Sequence, residues 1–252
     1  KNPTHEVTIA LCGKYTELPD AYKSVLEAFV HAGVENNARV KIQWINSEEL
    51  TSERACGKQL GKIDGILVLP GFGSRGTEGK ITAARFAREN KVPYLGLCLG
   101  LQIAVIEFAR NVCGITDATS SEFKKRTGKR VIDLMDGQKK VKRKGATMRL
   151  GAYDCEVKKG TKTYRAYRRN KISERHRHRY EVNNRFRNRL EKNGMIFSGI
   201  NPDLNLVEII ELKDHPWFVA SQFHPELKSR VNRAHPLFRD FVKAAVAHTN
   251  SK

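Results

Sequence analysis

Tyr94-Leu95-Gly96-Leu97-Cys98-Leu99-Gly100-Leu101-Gln102 is the stretch on which the reading of the chain turns. Four residues with strand character run into a cysteine flanked at two residues on either side by glycine, and an apolar helical pattern follows to about Val112. The form G-x-C-x-G between a strand and a helix is the cysteine version of the nucleophile elbow. Such a turn needs small neighbours, because a Cβ at Gly96 or Gly100 would run into adjacent backbone. It also sets the sulfur at a helix N-terminus, where free N–H groups and the helix dipole favour thiolate. A buried core cysteine between packing glycines would have the same local sequence, so the motif needs a partner.

The surrounding pattern supplies a fold. Strand signals at Val7–Leu11, Arg39–Ile45, Ile66–Leu69 and Tyr94–Leu97 alternate with helical signals. The helices run from Pro19-Asp20 to about Ala32, over Ile81–Glu89, and from Leu99 to about Val112. That alternation predicts an α/β fold, a mostly parallel central sheet with helices on both faces. Antiparallel strand candidates follow at Met148–Val157, Met195–Gly199, Leu206–Leu212 and Trp217–Gln222, a smaller antiparallel extension, before a final helix from Pro236 to about Ala247. Residues 114–148 read as a long polar loop with one short strand at Val131–Leu134. Residues 1–252 are expected to make a single domain.

The partner for Cys98 is in Ser221-Gln222-Phe223-His224-Pro225-Glu226. His224 and Glu226 are two apart, so an extended backbone projects both to one side. A histidine that takes a thiol proton, oriented by a carboxylate on its other nitrogen, is the arrangement of covalent acyl transfer.

Composition narrows the setting. Five scattered cysteines with no CxxC pair point away from disulfides and zinc and towards a reducing cytoplasm. No apolar run approaches bilayer length, and no signal or transit pattern precedes the first strand; the opening on Lys1 suggests a piece of a longer polypeptide. The net charge of +19 is uneven: residues 124–192 hold 25 Lys/Arg against 7 Asp/Glu. That stretch is either a solvated basic face or a surface for phosphate-rich anions or an acidic domain.

The order Cys…His-x-Glu resembles the class I, triad-type glutamine amidotransferases. Four stretches resemble the CTP synthase family within that class. They are Gly13-Lys14-Tyr15 with Leu18 to Ser24, Gly73-x-Arg75-Gly76-x-Glu78-Gly79-Lys80, Thr147-Met148-Arg149-Leu150-Gly151, and Glu174-Arg175-His176-Arg177-His178-Arg179-Tyr180-Glu181-Val182-Asn183-Asn184. The resemblance runs from about residue 7 to residue 245. It implies Cys98, His224 and Glu226 as catalytic residues and the N–H groups of Gly71 and Leu99 as an oxyanion hole. It implies a glutamine site of Gly71, Leu99, Gly100, Leu101 and Gln102, with Glu122 on the substrate's α-ammonium and Arg179 on its α-carboxylate. Spacing alone does not single out Arg179: alternation puts Arg175, Arg177 and Arg179 on one strand face and His176, His178 and Tyr180 on the other.

The implied reaction is hydrolysis of L-glutamine to glutamate and ammonia, with no metal or cofactor in this domain. A separate N-terminal synthetase domain, absent here, would use ATP, Mg and UTP to make CTP. No G-x-x-x-x-G-K-[ST] occurs, so this chain is not expected to make CTP alone. GTP is the expected allosteric activator and the full enzyme a homo-oligomer, a tetramer; no membrane or nucleic-acid partner is implied. The chain departs from the family at Pro70, where the first glycine of Pro-Gly-Gly-Phe-Gly is usual, and at Ala146, in place of a glycine. Two alternatives remain: a stand-alone γ-glutamyl hydrolase or other class I glutaminase, and a polyanion-binding module with a vestigial triad.

Overall fold

Val7, Ile9, Leu11 and their neighbours form the first strand because nearly every residue from Val7 onward is buried on one face or the other. In the computed structural model, which describes residues 2–14, 19–123, 128–134 and 148–251, β1 spans His5–Gly13. It lies between β2 (Ala38–Asn46) and β3 (Gly65–Val68), parallel to both. β3 pairs in parallel with β4 (Tyr94–Leu97), and every residue of both is buried, as central strands between two helical layers require.

Helices α1 (Lys23–Glu35), α2 (Glu53–Leu60), α3 (Thr77–Glu89) and α4 (Leu99–Asn111) connect this half. The second half adds β5 (Thr119–Ser120), β6 (Arg130–Asp133), β7 (Arg149–Val157), α5 (Lys162–Tyr167), β8 (Lys171–His178) and β9 (Glu181–Val182). It continues through α6 (Arg187–Lys192), β10 (Met195–Asn201), β11 (Leu206–Leu212) and β12 (Phe218–Ser221), and ends in α7 (Pro236–Thr249). Nine strands form one sheet in the order β2-β1-β3-β4-β12-β11-β10-β7-β8, and β5-β6-β9 form a small second one. The core is split by the large sheet: α1 and α7 pack on one face, α2, α3 and α4 on the other.

The α/β architecture expected from the sequence is the one observed, with two differences. The segment Trp217–Gln222, expected to be antiparallel, is the seam: β12 pairs antiparallel with β11 but parallel with β4. Three short helices were not legible. α2 buries only Cys56 and Leu60, α5 only Thr163 and Ala166, and α6 only Leu190, too few for a helical period to show. The expected short strand at Val131–Leu134 is β6; the rest of that expected loop lies partly outside the described residues.

Close backbone approaches fix the helices that carry the site. A Cβ at Gly96 would fall 2.7 Å from the Gly100 carbonyl, and one at Gly100 would fall 2.6 Å from the Val68 carbonyl oxygen. Both glycines of the elbow are therefore steric requirements. On α3, Gly79 presses on the turn at Ser47–Glu49, where a Cβ would sit 1.7 Å from the Ser47 carbonyl oxygen. Gly79→Ala should therefore destabilise the fold by about 1–3 kcal/mol or more. Gly57→Ala, inside α2 with nothing within 4 Å of its Cβ position, should stabilise by about 0.5–1 kcal/mol. Urea midpoints of the two variants check the pair, and a Gly79→Ala midpoint equal to that of the parent refutes the contact.

Candidate active site

Cys98 stands between β4 and α4 with φ 52° and ψ −97°, a left-handed conformation rare for a residue with a side chain. Its N–H donates to the Ser221 carbonyl at 2.7 Å, which anchors the elbow to the end of β12. One turn on, the Leu101 N–H donates to the Cys98 carbonyl at 3.1 Å and closes the first turn of α4. The ring of Tyr94 stacks on Phe218 at 4.3 Å and its hydroxyl donates to the Gly100 carbonyl at 2.9 Å. The strained residue is thus held from three sides.

His224 arrives from the same seam. β12 ends at Ser221, the His224 N–H donates to the Arg175 carbonyl at 2.8 Å, and Pro225 opens a 3-10 turn over Pro225–Lys228. His224 Nδ1 and Glu226 Oε1 are 2.7 Å apart. The sequence reading put the pair on one side of an extended strand. They meet instead across the first step of that turn, because proline favours a helical start more than strand continuation.

His224 Nε2 is buried and without a hydrogen-bond partner among the described residues. Burial opposes charge on this imidazole, but interaction with the Cys98 sulfur and with the Glu226 carboxylate outweighs it, and its pKa is pushed up to about 10. Contacts between a nucleophile and its base are often long before substrate binds. The charged imidazole is favoured, and a proton leaving the thiol has a place to go.

Around the sulfur, Gln222 Nε2 lies 3.7 Å away and the Arg177 carbonyl oxygen 4.0 Å away. A pocket of about 250 Å³ opens in front, lined by Cys98, His224, Glu226, Pro70, Gly71 and Phe72 among others. Leu99, as the first residue of α4, has no intrahelical acceptor for its N–H.

The expected glutamine residues divide. Gly71 lines the pocket; Gly100 and Leu101 are buried in the first turn of α4, and their side-chain positions face packing rather than the pocket. Gln102 is buried, with its Nε2 donating to the Tyr180 carbonyl at 3.1 Å and close to Gln222 Oε1 at 3.4 Å. Its Oε1 has no hydrogen-bond partner among the described residues. Glu122 and Arg179 form a neighbouring cluster. Glu122 Oε1 accepts the Gly73 N–H at 2.7 Å, and Lys14 Nζ donates to the Phe72 carbonyl, so the single peptide between Phe72 and Gly73 is held through both its polar groups. Burial raises the Glu122 pKa, against the pull of the Gly73 N–H and the charges of Arg179, Lys14 and Lys80.

The alternation predicted for 174–180 breaks at its end. Arg175 and Arg177 are exposed and His176 and His178 buried, as expected, but β8 stops at His178 and both Arg179 and Tyr180 are half-buried. That break separates Arg179 from the other two arginines, a distinction spacing could not draw. His176 Nδ1 and His178 Nε2 lie 2.9 Å apart, and burial with the nearby Arg149 pushes His176 down to about 3. Arg149 in turn bonds Glu181 at 3.1 Å and Glu208 at 2.8 Å. Gln222 was missed by the sequence reading. The signal was present, since Gln222, His224 and Glu226 share the i, i+2, i+4 spacing of one strand face.

Residues 17–244 match the family model for glutamine amidotransferase class-I. The chain belongs to that family. Within it, the chain is 60% identical over 245 residues to the CTP synthase of Cytophaga hutchinsonii and 61% identical over 246 residues to that of Carboxydothermus hydrogenoformans. Those alignments take 97% and 98% of this chain but 45% and 46% of the relatives, so the chain spans less than half their length. A solved Trypanosoma brucei CTPS glutaminase domain with bound acivicin superimposes with a TM-score of 0.90 and 40% identity, covering 96% of this chain and 94% of that one.

Removing the Glu226 charge without its shape tests the electrostatics. In Glu226→Gln the imidazole loses one of the two interactions that raise its pKa, so it holds a proton less well at neutral pH. With a weaker proton acceptor beside it, the Cys98 sulfur should be less reactive at neutral pH. Alkylation by iodoacetamide at pH 7 should slow by roughly tenfold or more and recover as pH rises. An alkylation–pH profile that coincides with that of the parent refutes the role given to Glu226.

Proposed function

We propose that this domain hydrolyses L-glutamine to glutamate and ammonia through a γ-glutamyl thioester on Cys98. The observation that carries the reading is the strained Cys98 elbow brought next to a His224–Glu226 pair at the base of a pocket. In this mechanism His224 Nε2 takes the thiol proton and the sulfur attacks the γ-carboxamide carbon. The N–H groups of Leu99 and Gly71 receive the oxyanion. Collapse breaks the C–N bond, His224 returns its proton to the departing nitrogen, and ammonia leaves. His224 then takes a proton from water, the hydroxide attacks the thioester, and Cys98 is released with glutamate. Glu226 accepts from Nδ1 throughout, stabilising the imidazolium.

Glu122 and Arg179 would take the two charges of the amino-acid head group, with Gln102 as a further contact. Adjacent charges of opposite sign suit a zwitterion, and a guanidinium suits a carboxylate. We further propose that the ammonia serves amination of ATP-activated UTP, with Mg, in a synthetase domain of the same polypeptide. GTP as activator, a homo-oligomeric full enzyme and a cytoplasmic setting belong to the same proposal.

The loop at Pro70–Gly71 provides the test. Proline fixes its own φ but leaves its ψ free, and Gly71 tolerates either sign of φ, so both orientations of the peptide between them stay open. Pro70→Gly should shift glutaminase kcat while leaving Cys98 alkylation nearly unchanged. Gly71→Pro, which deletes the donor, should lower kcat by about 10²–10³. A folded Gly71→Pro variant that turns over glutamine at the parent rate places the hole elsewhere.

A further inference from the structure

A second concavity lies on the other side of the turn that carries Glu226. A cleft of about 1410 Å³ opens between the end of α1, the exit of α5, strand β8 and the start of α7, and it shares no lining residue with the Cys98 pocket. Eight cationic side chains line it against five carboxylates. Arg165, Arg168, Arg169 and Lys171 come from the basic stretch noted in the sequence. The other four, among them Arg233, Arg239 and Lys243, come from beyond residue 225. Two segments far apart in sequence thus converge to concentrate positive charge.

The carboxylates there are mostly engaged. Glu35 accepts the Ala234 N–H at 2.6 Å, Glu156 lies 3.8 Å from Lys171, and Asp240 bonds Arg239 at 2.6 Å. Glu174, on the floor, accepts from the Tyr167 hydroxyl at 3.0 Å and lies 3.1 Å from His235 Nε2, with Lys228 at 3.6 Å. The cations are not engaged to the same degree. Among the described residues the side chains of Arg168, Arg169, Arg233 and Lys243 make no hydrogen bond or ion pair, and all four are exposed. Arg168 has φ 55°, a left-handed residue with a long side chain where glycine commonly ends a helix.

Helix α7 is not the recognition element. Its N-cap His235 already accepts the Leu237 N–H on Nδ1 and its first helical residue is a proline, so its end offers few free donors. Recognition falls to the guanidinium groups, whose forked geometry matches phosphate oxygens in pairs. The volume exceeds the usual 300–1,000 Å³ of small-molecule sites, leaving room for a ligand of nucleotide size. A recessed floor of fixed polar groups suits a small molecule better than a flat protein or nucleic-acid face.

We propose that this cleft is a second binding site, for a phosphate-rich small anion, separate from the glutamine pocket. The probe is inorganic tripolyphosphate, titrated calorimetrically into the protein at low and raised NaCl. Saturable binding of one anion per chain is expected, weakening steeply with salt. The double variant Arg168→Ala/Arg233→Ala should weaken it at least tenfold. The triple variant Lys129→Ala/Arg185→Ala/Lys192→Ala, which removes more charge from exposed positions of the basic stretch that do not line the cleft, should leave it within twofold. If the first variant fails to fold, Arg169→Ala/Lys243→Ala replaces it with the same expectation. The proposal is overturned by absence of binding at low salt, by several anions per chain, or by equal losses in the cleft and control variants. A single-stranded oligonucleotide that binds far more tightly than tripolyphosphate would also overturn it.

Discussion

A single backbone residue held where a side chain rarely goes organises this molecule. Cys98 at φ 52° costs on the order of 1–3 kcal/mol, and much of the surrounding sequence serves to keep it there. Gly96 and Gly100 vacate the space the turn consumes. Ser221 accepts the Cys98 N–H, and Tyr94 braces the first turn of α4 from below. The reward is a sulfur at a helix N-terminus, directly over the strand seam from which its base arrives.

That seam explains why the sheet changes direction where it does. β12 runs parallel to β4, so both strands deliver their C-terminal ends, and hence Cys98 and His224, to the same edge. Its other neighbour is antiparallel, and β8, which supplies the carbonyls of Arg175 and Arg177, belongs to that half. The site therefore belongs to the junction between two kinds of sheet. The parallel half supplies the nucleophile, and the antiparallel half supplies groups that hold the base and face the pocket.

Much of this was legible in the sequence, for physical reasons. The elbow shows because its glycines are steric necessities, and the parallel strands show because burial on both faces leaves continuous apolar runs. The short helices α2, α5 and α6 did not show, since one or two buried residues make no period. The turn at Pro225 was misread because alternation describes strands and cannot report where one stops. For the same reason Arg179 could not be told from Arg175 and Arg177: the strand ends at His178, and that end is set by tertiary packing. The cleft behind the catalytic turn needed the fold outright, because half its cations come from a second segment, residues 228–243, far along the chain from the first.

The most direct test of the account is the mass of the protein after reaction with a glutamine-mimicking electrophile, followed by peptide mapping. One adduct per chain, on the Cys98 peptide and abolished by prior saturation with glutamine, is the predicted result. Equal labelling of Cys12 or Cys113, both buried and with thiol pKa values raised by burial, would contradict it.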